Sequence, residues 1–263
     1  MLKISLLAYF FDFFSLYFTS QKEPYSAIEM NQATVSKFIA ASLSQKARGS
    51  HGSREGMVVT ISRDTGCEGI VAVEHLVNLL NKYALQKRRK ATWHYVSKEI
   101  LEESAKRLNL HPDKVTRLLN AQDKNLFEEM LLGFSSANYP SDLKIKNTLK
   151  DVIQSIADEG NVVILGRGGV SVVEHSERVL HVKLTAPLDW RIKQVQTLEN
   201  LSPARSKQFI ERTDRDRKAM KTFYLGREIT YRDYDMVFNV SSLSQEEIAQ
   251  AIYEVIIHRN SLK

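Results

Sequence analysis

The sequence predicts an α/β fold: a parallel sheet with helices on both faces and a helical excursion set into it. Two observations predict this. Four short apolar, β-branched runs lie far apart in the chain, at 57–62, 161–165, 179–184 and 236–240. Helical periodicity fills the chain between them, so strands and helices alternate. Strands that alternate with helices imply a parallel sheet covered on both faces.

The elements follow in order. Met57-Val58-Val59-Thr60-Ile61-Ser62 reads as a buried strand, and Arg63-Asp64-Thr65-Gly66-Cys67-Glu68-Gly69 as a turn. Ile70, Val73, Leu76, Val77 and Leu80 then recur at helical spacing. Trp93-His94-Tyr95-Val96 is a weak strand. From Ser97 to about Lys150 the pattern is helical, interrupted at Asn109–Pro112 and Gly133–Pro140, and reads as a lid-like or subsite module. Asn161–Leu165 is a strand ending in Gly166-Arg167-Gly168-Gly169, and Val179–Leu184 is another. Ala186-Pro187-Leu188 opens a helix with Pro near its start, and 203–223 is a highly charged helix. After Met236–Val240, Ser244 with Glu247 makes a capping box for the last helix.

The expected domain runs from 57 to 263, with the helical module at 97–150 and a lid at 203–230; residues 1–56 form an appendage and linker. The linker reading rests on the small, polar, Gly/Ser-rich stretch at 40–56. The apolar stretch Leu6–Phe18 is shorter than a bilayer span and carries Asp12. It has three readings, in order of preference: an appendage or a start placed upstream of Met30, a membrane or interfacial anchor, and a signal peptide lacking a small-x-small cleavage site.

The 263 residues hold one cysteine, which excludes a disulfide-stapled scaffold and multi-cysteine structural zinc. A net charge of +6 suits polyanionic partners such as nucleotides, RNA or anionic lipid and selects none of them. The densest basic run, Lys87-Arg88-Arg89-Lys90, reads as a solvated loop after a helix. The seven histidines show no metal-ligand spacing.

A strand, a glycine-bearing turn and a helix can hold a phosphate: turn amides point inward and the helix N-terminus adds partial positive charge. Here the turn carries only Gly66 and Gly69, and the pattern G-x-x-x-x-G-K-[ST] is not matched, since the lysine and the hydroxyl residue are absent. A plain strand-to-helix connection explains such a turn equally well.

The ordered set of further motifs favours the phosphate-holding reading. From 57 to about 257 the chain resembles the cytidylate kinase-like family of P-loop nucleoside monophosphate kinases. The resemblance is carried by Ile61-Ser62-Arg63 with Gly66 and Gly69, Lys98-Glu99-Ile100 with Ala105, Gly166-Arg167-Gly168, and Leu180-His181-Val182 with Ala186-Pro187-Leu188 and Arg191. Asp214 with Arg217, Tyr224 with Gly226, and Tyr234-Asp235 with Asn239 complete the set. The resemblance implies a P-loop kinase-like parallel sheet with a helical acceptor-binding insertion. It also implies phosphoryl transfer from ATP, with Mg²⁺, to a cytidine monophosphate-like acceptor by positioning and positive charge.

By the same resemblance Ser62, Arg63, Thr65, Gly66, Cys67, Glu68, Gly69 and Ile70 hold the donor, and Gly166, Arg167 and Gly168 the acceptor. Arg217, Arg191 and Arg212 stabilise the transferring charge, since a guanidinium fork suits bidentate phosphate contacts. Plainer readings stand beside these. Arg167 is a structural arginine, Arg191 pairs with Asp189 or Glu199, and Arg217 belongs to the solvated, charged face Glu211–Lys218. Asp214 either orients Arg217 or is a helix pair, and Cys67 is a small space-filler rather than a redox switch.

The chain departs from the family pattern at the turn. Gly69 stands where a Walker lysine would, Glu68 replaces a glycine, and Ile70-Val71 replaces Arg-Glu; farther on, Ser97 replaces an Asp. A Glu68 carboxylate ~5 Å from a phosphate would cost about 3 kcal/mol at an effective dielectric of about 20. No metal ligand is assigned. The expectation is therefore a cytoplasmic nucleoside monophosphate kinase using a nucleoside triphosphate, with no nucleic-acid partner and no membrane association. A nucleotide-binding, pseudokinase-like protein with little turnover is the alternative. A dinucleotide oxidoreductase, from Gly166-x-Gly168 and Asp189, and an RNA-binding protein rank below both.

Overall fold

The computed structural model of the chain describes residues 56–89, 92–97 and 142–261. The N-terminal appendage and nearly all of the predicted helical module at 97–150 lie outside the described residues. Five strands are described: β1 (Val58–Arg63), β2 (His94–Val96), β3 (Val162–Leu165), β4 (Val179–Thr185) and β5 (Met236–Asn239). They form one sheet in the order β2-β3-β1-β4-β5, and every pairing is parallel. β1 is central, with Ile61 opposite Leu165 on one side and Val182 on the other.

Six α-helices are described: α1 (Ile70–Gln86), α2 (Asp142–Glu159), α3 (Gly169–Val172), α4 (Leu188–Glu199), α5 (Pro203–Leu225) and α6 (Gln245–Ser261), with a 3-10 turn at Tyr231–Asp233. The predicted apolar spacing of α1 becomes its buried stripe, Ala72, Val73, Leu76, Val77, Leu80 and Ala84. That stripe packs with Ile248, Ile252 and Ile256 of α6 against Val59, Ile61, Val163, Leu165, Leu180 and Val182 on one sheet face. On the other face α3 lies over Thr60 and Ile164, so close that a Cβ at Gly169 would meet Ile164 Cγ2 at 3.1 Å. Both faces of β1, β3 and β4 are buried, which is why β3 reads as an unbroken apolar run and why the polar Thr60, His181 and Lys183 of the other two are buried as well.

The capping box expected at the start of the last helix forms. Ser244 and Glu247 bond reciprocally: the Ser244 amide donates to Glu247 Oε2 at 2.8 Å, and the Glu247 amide donates to Ser244 Oγ at 3.2 Å. α5 starts with Pro203 and stops at Gly226, whose φ of 69° is left-handed. Residues 87–89 are exposed after α1, as predicted for the basic run. The predicted 203–223 helix extends to Leu225 and buries only Ser206 and Ile210, so it lies on the molecule rather than inside it.

The second sheet face carries a polar cluster. His181 is fully buried in β4, its Nδ1 2.6 Å from Thr60 Oγ1 and its ring edge-on to His175 at 4.3 Å. Burial, followed by repulsion from His175, pushes its imidazole down to about 4, against the pull of Asp235 and Asp233. The native state therefore holds His181 neutral, whereas the unfolded chain protonates it near 6.5. Stability is fully present above pH 6.5 and falls as pH drops toward 4, by about 3 kcal/mol from this residue. Urea midpoints at pH 7 and pH 4.5 measure this, and His181→Gln should flatten the slope; an unchanged slope refutes it.

Candidate functional site

The chain leaves β1 toward β2 on one side and leaves β4 toward β5 on the other. Ligands of open α/β sheets bind in such a crevice, at the carboxyl ends of the strands. Two cavities open there. One, of about 370 Å³, is lined by Ser62, Arg63, Leu165, Gly166, Arg167, Gly168, Phe209, Arg212, Thr213, Asp216, Arg217, Met220 and Lys221. The other, of about 330 Å³, is lined by the turn from Arg63 to Ile70, by Ser97, Leu165 and Val195, and by Phe209, Thr213 and Arg217 among others. Arg63, Leu165, Phe209, Thr213 and Arg217 belong to both, so the two cavities meet at a pair of arginines.

α5 forms the roof. Residues 209, 213, 216, 217 and 220 fall on one helix face, which is why all of them reach the cavities. Arg217 Nη1 donates to the Arg63 carbonyl at 3.2 Å and thereby ties the roof to the end of β1. The cations are crowded. Burial, then the Arg217 and Arg167 guanidiniums, lower Arg63 to about 10. Burial also lowers Arg217. Like charges gathered out of water are costly unless an anion joins them, so the arrangement fits an anionic ligand.

The turn itself is braced. Asp64 accepts from the Lys183 ammonium and, at 2.6 Å, from Thr185 Oγ1. Burial opposes its ionisation, and Lys183 and Thr185 overcome this, holding the carboxyl below its ordinary range. Thr65 donates its amide and hydroxyl to Asp214 Oδ1 at 2.8 and 2.7 Å. Arg191 holds the other side of that carboxylate, with Nη1 2.7 Å from Asp214 Oδ2, and also donates to the Ala186 and Thr65 carbonyls. Gly66 must be glycine here: its φ is +88° and a Cβ would lie 2.9 Å from the Arg191 carbonyl oxygen. Cys67 is buried, and burial with Asp64 nearby pushes its thiol up to about 12. That environment matches the space-filling reading and not a reactive thiolate.

Among the residues singled out by sequence, Ser62, Arg63, Gly166, Arg167, Gly168, Arg212 and Arg217 meet at the first cavity, and Arg63, Thr65, Gly66, Cys67, Glu68, Gly69 and Ile70 at the second. Arg191 lines neither cavity; it pairs with Asp214, not with Asp189 or Glu199. Asp214 accepts from Arg191 and Thr65, so it works on the turn rather than as a simple helix pair. Gly166, Arg167 and Gly168 all have left-handed φ, at 77°, 56° and 77°, a run unusual for an arginine and costly unless the surroundings enforce it. They open the single-turn α3, not the long helix a dinucleotide fingerprint needs. Lys183, Phe209 and Lys221 were missed. Lys183 left a legible trace, as a lysine inside an apolar strand; Lys221 left one too, a full turn past Arg217 on the same helix.

Glu68 is exposed at the rim of the second cavity. Its oxygens make no hydrogen bond or salt bridge among the described residues. At ~5 Å in a water-like dielectric its repulsion of a phosphate falls to about 0.8 kcal/mol. Glu68→Gln is therefore expected to tighten metal-free ATP binding about fourfold and not to tighten magnesium–ATP binding, where the cation offsets the repulsion. Calorimetric titration with and without magnesium decides this, and equal effects in both refute it.

The fold is that of a P-loop kinase-like α/β protein. The chain belongs to the cytidylate kinase-like family, whose model matches residues 58–242. The crystal structure of an uncharacterized protein from Eubacterium ventriosum ATCC 27560 shares the fold, with a TM-score of 0.52 and 17% identity over 76% of this chain and 98% of that one. A shikimate kinase from Bacteroides thetaiotaomicron aligns with a TM-score of 0.43 and 13% identity, over 76% of this chain and 98% of its own. A uronate isomerase of Corynebacterium glutamicum is 29% identical over 118 residues, which are 44% of this chain. The match spans 22% of the isomerase's length, so the chain corresponds to about a fifth of that curated relative. No helix among the described residues is long and apolar enough to cross a membrane.

Proposed function

We propose that the protein is a nucleoside monophosphate kinase-like phosphotransferase, moving the terminal phosphoryl of ATP to a CMP-like acceptor in the cytoplasm. The observation that carries this reading is the pair of cavities joined at Arg63 and Arg217. The cavity beside the turn takes the triphosphate, and the cavity beside Gly166-Arg167-Gly168 takes the acceptor's phosphate. In-line transfer needs both phosphates to meet, and it needs positive charge where they meet. Arg63 and Arg217 supply that charge, Arg167 and Arg212 hold the acceptor, and Phe209 offers an aromatic surface between the two. Cys67's amide is used by the Asp64 carbonyl and Thr65's by Asp214; those of Gly66, Glu68 and Gly69 make no backbone bond among the described residues. They and the first turn of α1, which carries no acidic residue, suit an anion.

Magnesium is held mainly by water, substrate phosphates and one or two carboxylates. Asp64 and Asp214 already take protein donors, which leaves Glu68 as the uncommitted carboxylate at the turn that fits this ion. Bound there, the ion would neutralise phosphate charge. The basic run at 87–89 lies at the far end of α1, about 24 Å along its axis from the turn, so it plays no part in this site and no nucleic-acid partner is proposed.

One observation favours a second reading, nucleotide binding with little turnover: Asp214 occupies the Thr65 amide, which a phosphate would otherwise use. Coupled-assay turnover with CMP, dCMP, UMP and AMP tests the first reading. ADP formation dependent on a pyrimidine monophosphate is the expected result. ATP binding without ADP formation on any acceptor supports the second.

A further inference from the structure

The second half of α5 covers one cavity and not the other. Phe209, Thr213 and Arg217 reach both cavities, whereas Met220 and Lys221 line only the one that carries Gly166-Arg167-Gly168. Packing holds this part of the helix in place. Gly168 lies so close to α5 that a Cβ on it would meet the Tyr224 ring at 3.1 Å and Met220 Cε at 3.5 Å. Tyr224 Oη donates to the Lys146 carbonyl of α2 at 3.2 Å and fastens that end of the roof. The charged neighbours of Lys221 are Lys183 from β4, Asp64 from the turn, and Arg217 and Asp214 from α5. Arg63, Arg167, Arg212 and Asp216 share the cavity wall with it. The carboxylates are committed, Asp64 to Lys183 and Thr185, Asp214 to Thr65 and Arg191, and Asp216 is engaged as well. The Lys221 ammonium makes no hydrogen bond or ion pair among the described residues. A cation drawn out of water among other cations, and facing a cavity, is unfavourable until an anion joins it.

We infer that Lys221 binds the phosphate of the nucleoside monophosphate acceptor, together with Arg167 and Arg212, and so makes the cavity select a doubly charged phosphate monoester. The inference rests on the phosphotransferase reading above and deepens it, by adding a specificity residue for the acceptor. An ammonium with three donors on a flexible stem can meet one phosphate oxygen while the guanidinium forks take the others. Lys221 forms no part of the wall of the turn cavity, so triphosphate binding there does not call on this ammonium. Burial, followed by repulsion from Lys183, lowers Lys221 to about 8. A phosphate monoester is doubly ionised above about pH 7. Acceptor binding is therefore strongest near neutral pH, where both charges are present, and weakens as the ammonium loses its proton.

The test is calorimetric titration of the full chain, and of its Lys221→Met and Lys221→Arg variants, with ATP and separately with the tightest-binding of CMP, dCMP, UMP and AMP. Lys221→Met is expected to weaken monophosphate binding about tenfold or more and to leave ATP binding within about twofold. Retained ATP binding also shows that the methionine variant folds. Lys221→Arg keeps the charge and should retain most of the monophosphate affinity. Between pH 7.5 and 9 the wild type should lose about eightfold in monophosphate affinity as the ammonium deprotonates, and the arginine variant should not. Arg63, lowered to about 10, stays largely protonated in that window. Wild-type monophosphate affinity in Lys221→Met, an equal loss of ATP binding, or the same pH profile in the arginine variant overturns the inference and leaves the phosphotransferase reading standing. A wild type that binds none of the four monophosphates overturns both.

Discussion

Replacing Arg217 by methionine is expected to lower turnover by roughly a hundred- to a thousandfold, the range seen when a preorganised cation or donor at a transferring phosphoryl is lost. Methionine keeps much of the volume against the roof while removing the charge. Arg217 is the residue to choose because it lines both cavities and is anchored on the Arg63 carbonyl, so its guanidinium is held where the two phosphates would meet. Little of the effect should appear in KM, since the developing charge and not the bound nucleotide is what this group answers. Arg217→Lys should recover part of the rate, because an ammonium keeps the charge and loses the planar fork. Steady-state kinetics in the coupled assay, with circular dichroism to confirm folding, make the measurement. Turnover within twofold of wild type would remove Arg217 from the mechanism.

Asp214→Ala should be the most damaging change to the stability of the site. The carboxylate takes two bonds from Thr65 and one from Arg191, and the Arg191 side chain is only 13% exposed. Truncation leaves a nearly buried guanidinium without its anion and the start of the turn without its acceptor. The expected loss is about 2–4 kcal/mol, lowering the thermal midpoint by roughly 5–15 °C. Asp214→Asn should lose less, since its amide oxygen still accepts from Thr65. ATP binding should weaken in both variants, because the turn's shape depends on this brace. A melting curve that overlays the wild type, or ATP binding that tightens in Asp214→Asn, refutes the bracing role; the second result would make the carboxylate a competitor of phosphate.

The two predictions divide the arginines that sequence reasoning had grouped together. Arg217, Arg212 and Arg191 were each read as charge for the transferring phosphoryl. Two of them line the first cavity, and the third turns away to hold Asp214. Nothing in the spacing between Arg191 and Asp214 announces their contact, because they lie on different helices and meet only when α5 folds back over β1. Glu68 shows the same limit in reverse. Its identity at the turn was legible as a departure from pattern, but its cost depends on whether it faces the cavity or solvent, and exposure is a property of the folded surface.

Sequence alone determined the strands, most of the helices and the kind of fold they build; the run of α2 to Glu159, past the expected boundary near Lys150, and the single-turn α3 were not read. Continuous β-branched runs, a 3.6-residue apolar stripe, a proline at a helix start and a Ser-x-x-Glu box act over a few residues, and local chemistry suffices to read them. It also singled out Gly66, Arg167 and Arg217, which the fold brings to the two cavities. Only the tertiary structure decided the order of the sheet, the neutral buried His181, the pairing of Arg191 with Asp214, and the arrival of Lys221 beside a turn about 150 residues earlier in the chain. Those outcomes depend on desolvation and on charges brought together from distant segments, and both come into being only when the chain has closed around them.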